Sequence, residues 1–127
     1  MKNVRVLLVD DNMRFLESVE NFLPSISGLH VVSVGRALSG EEAIVMSTSL
    51  RPDLILMDIS LPGMSGLEAT RLIKQSADAP HIVMLTVHEN DEYRKAAKEA
   101  GADGFISKSK LYKELKPVGL SMFQNGL

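Results

Sequence analysis

The sequence predicts an α/β fold built on an open, doubly wound, five-stranded parallel sheet. Two observations carry that expectation. Short β-branched or apolar runs recur about every 25 residues with a helical pattern between each pair, which is the rhythm of repeated βαβ units. Three of these runs are almost continuously apolar. Strands buried on both faces of a parallel sheet read that way, whereas half-exposed antiparallel strands alternate.

The runs are Val4–Val9, His30–Val34, Asp53–Met57, His81–Val87 and Gly104–Ser107, the first, third and fourth being the continuous ones. Between the first two, Phe15, Val19, Phe22 and Leu23 share one helical face, which Pro24 should end. Ser39 and Glu42 have capping-box spacing ahead of Ala43, Ile44 and Leu50. Ser65 and Glu68 repeat it ahead of Thr70 and Ile73. Asn90 can cap a helix carrying Tyr93, Ala96, Ala97 and Ala100, with Gly101 as its stop. A last helix starts near Leu111, and Pro117 should kink or shorten it. Right-handed crossovers leave few ways to wind five such strands. The flavodoxin-like order 2-1-3-4-5 is the natural one.

The chain has 127 residues, the size of one domain, and 1–127 is expected to be a single unit without linker or repeat. With 45% hydrophobic residues it can bury a core, and with 24% charged residues it does not have a disordered composition. A net charge of −2 predicts no broad attraction to nucleic acid or to anionic lipid. Cysteine is absent, which excludes disulfides, thiolate metal sites and thiol catalysis. Met1-Lys2-Asn3 runs directly into a strand pattern, and no apolar run is long enough to span a bilayer, so a soluble cytoplasmic protein is expected.

In doubly wound sheets ligands bind at the carboxyl ends of the strands. There the sequence places Asp10 and Asp11 after the first strand, Asp58 after the third, Thr86 at the end of the fourth and Lys108 after the fifth. Carboxylates packed together raise one another's pKa, and a hard divalent cation relieves this. Mg²⁺ takes oxygen ligands and keeps positions for water and phosphate oxygen. A carboxylate beside it can attack a phosphoryl group, whose oxygens Lys108 and Thr86 are placed to stabilise. Each residue alone has a plainer reading. Asp11 could cap the first helix, Asp58 could be a turn residue, Thr86 an ordinary strand residue and Lys108 a solvated charge. Phe105 would be core and His88 a surface loop residue. Their joint arrival at one edge of one sheet favours a site.

The acidic pair in VLLVDDN, Asp58 in LILMDISLPGMSG, Thr86 in IVMLTVHE and Lys108 in GADGFISKS resemble the receiver domains of two-component response regulators. The likeness covers essentially the whole chain. GEEAI, RPDLILMD, PGMSGLEATR and LTVHENDEY are most similar to receivers attached to LuxR-type (NarL/FixJ-like) helix-turn-helix domains. The resemblance implies that Asp58 is the phosphoacceptor. It implies that Asp10 and Asp11 bind Mg²⁺, Asp11 more directly, together with Asp58 and the backbone carbonyl of Ser60. Lys108 would pair with the phosphoryl oxygens, or with Asp58 before phosphorylation. Thr86 and Phe105 would be the switch pair, and the face formed by the fourth helix, fifth strand and fifth helix would meet partners.

The implied partner is a sensor histidine kinase, with a homodimer possible on phosphorylation and DNA reached only through an output domain absent from this chain. Phosphoryl transfer comes from a phosphohistidine, or from a small-molecule donor. The domain then promotes its own modification and slow autodephosphorylation, and is a signalling acceptor rather than an enzyme. Ser60 and His88 should flank the phosphoryl group and tune its lifetime. Three positions depart from common patterns. Ser109 replaces the frequent proline after the lysine, so no cis peptide is expected there. Asn12 stands where the subgroup often has histidine, and Phe105 lacks the hydroxyl of a tyrosine switch. An aspartyl phosphatase of the haloacid-dehalogenase type would need a carboxylate where Ser60 stands. A flavin module would need a Ser/Thr/Gly-rich cradle where DDNMR stands.

Overall fold

The computed structural model describes residues 1–88 and 90–124. In chain order these form β1 (Lys2–Val9), α1 (Met13–Phe22), β2 (Leu29–Ala37), α2 (Gly40–Leu50), β3 (Leu54–Asp58), α3 (Gly66–Ile73), β4 (His81–Thr86), α4 (Asp91–Glu99), β5 (Gly104–Ser107) and α5 (Leu111–Phe123). Short 3₁₀ turns occupy Leu23–Ser25 and Lys108–Lys110. The strands pair in parallel in the order β2-β1-β3-β4-β5, the arrangement expected from the sequence.

Successive side chains of a strand point to opposite faces, and each face here has its own apolar layer. Val4, Val6, Leu8, Leu54, Leu56, Val83, Leu85 and Ile106 pack with Leu16 and Val19 of α1 and Leu111 and Leu115 of α5. Leu7, Val9, Ile55, Met57, Ile82 and Met84 pack with Ala43 of α2, Ala69 and Ile73 of α3, and Ala97 of α4. The uninterrupted apolar runs of β1, β3 and β4 follow from this burial on both sides.

The helix starts are set by side-chain caps. Ser39 Oγ accepts the Glu42 N–H at 3.1 Å, while Glu42 reaches back to the Leu38 N–H at 2.7 Å. Ser65 caps α3 through the Glu68 N–H and Asn90 caps α4 through the Tyr93 N–H, each at 3.2 Å. Gly101 stops α4 at φ +99°, a backbone angle that suits glycine.

Several boundaries differ from expectation. β2 runs from Leu29 to Ala37 rather than His30–Val34, and β1 begins at Lys2. β3 is shifted by one residue to Leu54–Asp58, and β4 stops at Thr86, one residue before Val87. Pro24 does not abut α1 but sits inside the 3₁₀ turn that follows it. Pro117 does not shorten α5, which continues to Phe123. Its missing N–H would have paired with Lys113, and both residues are exposed, so the freed carbonyl faces water. Beyond it Gly119 is buried and Val118, Leu120, Met122 and Phe123 pack onto the first apolar layer, which keeps the turn in place. Glu89 of the LTVHENDEY motif and residues 125–127 lie outside the described residues.

Two aspartates tie the amino-terminal edge of the sheet. Asp53 accepts the Arg5 N–H on Oδ2 at 2.9 Å, donates its own N–H to Arg5 and accepts the His81 N–H on its carbonyl. Asp103 accepts the Ile82 N–H and the Lys74 ammonium, both at 2.9 Å.

At the opposite edge, Gly66 opens α3 directly behind Asp58 and donates its N–H to Ile59. A Cβ at Gly66 would lie 1.9 Å from the Asp58 carbonyl oxygen. Backbone cannot yield as a flexible side chain does, so Gly66→Ala is expected to destabilise the domain by about 3 kcal/mol. A lowered urea midpoint with unchanged m-value checks this.

Candidate functional site

Strand register assembles the site. Val9 pairs with Met57, so the next residues, Asp10 and Asp58, come side by side at the carboxyl edge of the sheet. Asp58 pairs with Leu85 and Thr86 with Ser107, so Thr86 ends β4 and Lys108 follows β5 along the same edge. The aspartates 10, 11 and 58 each offer a carboxylate oxygen, all within 4.8 Å of one another. Asp10 is 1% exposed and Asp58 5%, whereas Asp11 is exposed.

Among the described residues a single ammonium answers this charge. Lys108 Nζ lies 2.6 Å from Asp10 Oδ2 and 3.4 Å from Asp58 Oδ2, so its hydrogen bond goes to Asp10. The resemblance pointed to Asp58 as its resting partner. The ammonium forms an ion pair with Asp58 and a second, shorter one with Asp10, while the other oxygen of Asp58 accepts the Ser60 N–H at 3.2 Å. Burial, followed by the charge of Asp10, pushes the Asp58 carboxyl up to about 6, and Lys108 with the Ser60 N–H only partly offsets them. For Lys108, burial works against the charge, but the hydrogen bond to Asp10 and the nearby charge of Asp58 outweigh it and raise its pKa. Three oxygen donors, two of them buried and undercompensated, form the kind of donor set that a hard divalent cation takes.

The cap of α1 belongs to Asn12, not Asp11. Asn12 Oδ1 accepts the Phe15 N–H at 3.2 Å, and Asn12 donates its own N–H to Asp10 Oδ1 at 2.9 Å. Asp11 is thereby left free of capping duty on the exposed side of the cluster. Thr86 is 1% exposed, and its hydroxyl accepts the His88 N–H at 2.9 Å. The His88 ring is stacked on Tyr93 of α4, centroids 5.0 Å apart and planes 13° from parallel. Phe105 is half-buried on β5, with the Arg94 guanidinium 4.6 Å above its ring. No peptide is cis among the described residues, in keeping with Ser109.

The edge therefore brings together Asp10, Asp11, Asp58 and Lys108, with Thr86 at the adjoining strand end. Ser60 touches Asp58 through its backbone, and His88 and Phe105 are each held against α4. Sequence reasoning missed Asn12 as the cap, Phe15 as a neighbour of Lys108, and Arg94 as the cover of Phe105. Asn12 had a signal in its cap-forming side chain three residues before Phe15. The other two depend on contacts between elements far apart in the chain, which no local pattern encodes.

A sheet of this order with aspartates and a lysine at its carboxyl edge defines a receiver-type signalling domain. Residues 6–117 match the family model for the response regulator receiver domain, and the chain belongs to that family. The response regulator GacA of Pseudomonas viridiflava is 41% identical over 105 residues, which are 83% of this chain and 48% of GacA. UvrY of Escherichia coli (strain K12) is also 41% identical over 105 residues, covering 83% of this chain and 47% of UvrY. The chain thus spans about half the length of the curated relatives it matches. Among solved structures, a LuxR-family two-component response regulator from Aurantimonas sp. SI85-9A1 superposes with a TM-score of 0.87 at 31% identity, over 95% of this chain and 85% of that one. The signal receiver domain of NarL from Mycobacterium tuberculosis gives 0.85 at 29% identity, over 96% and 97%. The similarity to the LuxR-type subgroup read from the sequence is borne out by these relatives.

The raised pKa of Asp58 has a direct consequence for stability. The folded state holds this proton up to about pH 6, against an ordinary value of 3.8. Ionised Asp58 therefore destabilises the metal-free fold above about pH 6, and the penalty fades as pH falls toward 3.8. Without divalent cation, Asp58→Asn is expected to gain about 1–3 kcal/mol at neutral pH, the gain shrinking as the pH approaches 4. Urea unfolding of both proteins across that range in the presence of chelator measures it.

Proposed function

We propose that this chain accepts a phosphoryl group on Asp58 and that the modified state switches the face built from α4, β5 and α5. The supporting observation is the setting of the Asp58 carboxylate. It is almost fully buried, one oxygen is held by the Ser60 N–H, the other faces the Lys108 ammonium, and two further carboxylates lie beside it.

Asp10, Asp11 and Asp58, with the backbone carbonyl of Ser60, are the groups that would hold Mg²⁺. When bound, the ion supplies charge neutralisation for the carboxylates and for the phosphoryl oxygens. An oxygen of Asp58 attacks phosphorus, the P–N bond of a phosphohistidine on a partner kinase breaks, and its electron pair leaves on the imidazole, which takes up a proton. A small-molecule phosphodonor serves in the same way. Lys108 balances charge on the transferred oxygens, and the Thr86 hydroxyl donates to one of them.

For Thr86 to approach Asp58, its contact with the His88 N–H must rearrange, and Phe105 must slide beneath Arg94. This is a two-state device biased by one new covalent bond. The domain turns over no separate substrate. Its modification and slow autodephosphorylation are self-promoted, and Ser60 and His88 set the lifetime. Among the described residues no helix is long and apolar enough to cross a membrane, and the reading places the chain in the cytoplasm. Residues 1–127 form one receiver unit, its partner is a sensor histidine kinase, and phosphorylation favours a homodimer. A separate helix-turn-helix output domain would link it to transcription.

Mass spectrometry after acetyl phosphate and Mg²⁺ treatment tests the reading. The parent is expected to gain one phosphoryl group and Asp58→Asn none, and chelation of Mg²⁺ should stop the gain. Lys108→Ala should slow it by about tenfold or more, the scale of losing one charge-stabilising donor. Ser60→Ala and His88→Ala should change the half-life of the acyl phosphate, followed by loss of the mass shift, more than they change Mg²⁺ affinity.

A further inference from the structure

The Lys108 ammonium has a third neighbour besides Asp10 and Asp58. It lies 4.5 Å from the centroid of the Phe15 ring, on α1. That is within the range at which the negative face of an aromatic ring attracts a cation. Phe15 is half-buried at the margin of the first apolar layer, with its ring between that layer and the site.

Four residues close a circuit here. Asp10 Oδ1 accepts the Asn12 N–H, and Asn12 Oδ1 accepts the Phe15 N–H. The Phe15 ring faces the Lys108 ammonium, which donates to Asp10 Oδ2. The first turn of α1 is thus pinned to Asp10 at one end and presents its aromatic ring to the lysine at the other. We infer that Phe15 is a positioning residue for Lys108, holding the ammonium over the site by a cation–π contact. The inference rests on the proposed role of Lys108 toward the phosphoryl group.

The physical need is specific. Both oxygens of Asp10 are engaged, and any cation drawn to the carboxylates competes with Lys108 for them. The pull of Asp10 and Asp58 on the ammonium then weakens. The attraction of a neutral ring does not depend on those charges, and its face also keeps water from one side of the ammonium. Among the described contacts of Lys108, the ring is the one that offers no carboxylate for a competing cation to claim. A mere packing role for Phe15 would be satisfied by any apolar side chain of similar bulk.

Phe15→Leu, Phe15→Tyr and a pentafluorophenylalanine at position 15 separate the two roles in the full chain. In metal-free, unphosphorylated protein, NMR should show the Lys108 side-chain methylene protons shifted upfield by the ring. The shift should vanish in Phe15→Leu and persist in Phe15→Tyr. With phosphoramidate and saturating Mg²⁺, the initial rate of Asp58 phosphorylation should fall about three- to tenfold in Phe15→Leu and return in Phe15→Tyr. The fluorinated ring keeps the shape but reverses the charge of its face, and should be slowed as Phe15→Leu is. This variant decides the matter if Phe15→Leu folds poorly. An unshifted Lys108 in the parent overturns the inference. So does a rate within twofold of the parent for both Phe15→Leu and the fluorinated ring. A parent that takes no phosphoryl group at all would instead overturn the role of Asp58, with the NMR comparison still reporting on the ring and the ammonium.

Discussion

Three carboxylate oxygens within 4.8 Å, two of them on buried residues, repel one another, and nearby charge is answered by one ammonium. Nearly every polar contact at the carboxyl edge of the sheet can be understood as a response to that crowding. Asp10 has one oxygen on the Asn12 N–H and the other on Lys108. Asp58 has one oxygen on the Ser60 N–H and the other facing Lys108. Even so, Asp58 remains hard to ionise, with its carboxyl pushed up to about 6 by burial and by Asp10. A site left in this condition favours whatever brings positive charge to it, which is why its residues suit a divalent cation and a phosphoryl group together.

The crowding can be sustained because the sheet around it is closed on both faces. Leu8 and Leu56 point into one apolar layer and Val9 and Met57 into the other, so the strands that carry Asp10 and Asp58 are fixed along their length. The site connects outward through α4. Tyr93 stacks on His88, whose N–H holds the Thr86 hydroxyl, while the next residue, Arg94, covers Phe105 on β5. Two neighbouring residues of one helix therefore meet both halves of the proposed switch, Arg94 at Phe105 directly and Tyr93 at Thr86 through His88.

Much of this was legible in the chain. The continuous apolar runs of β1, β3 and β4 require burial on both faces, and the Ser39, Ser65 and Asn90 caps mark helix starts by local chemistry that tertiary packing did not override. Asp10, Asp11, Asp58 and Lys108 could be grouped because parallel strands of one hand end on one edge. The extent of β2 was not legible: Gly35 and Arg36 do not resemble strand residues, and pairing with β1 holds them there. Nor was the fate of Pro117, since its effect on α5 depends on which face meets water. The preference of Lys108 for Asp10 over Asp58 turns on a difference of under an ångström, and only three-dimensional contacts decide it.

The amino-terminal edge of the sheet shows the opposite condition. There Asp53 bridges to Arg5 of β1 and His81 of β4, and Asp103 accepts both a main-chain N–H of β4 and the Lys74 ammonium. Both of these acids are engaged in joining neighbouring segments. The domain accordingly has a fastened end and an unsettled one. Removing Asp53 or Asp103 at the fastened end costs cohesion, whereas relieving the crowded carboxylates at the unsettled end, as at Asp58, trades reactivity for stability. Such a division lets the chemistry of the unsettled end diversify without rebuilding the scaffold beneath it.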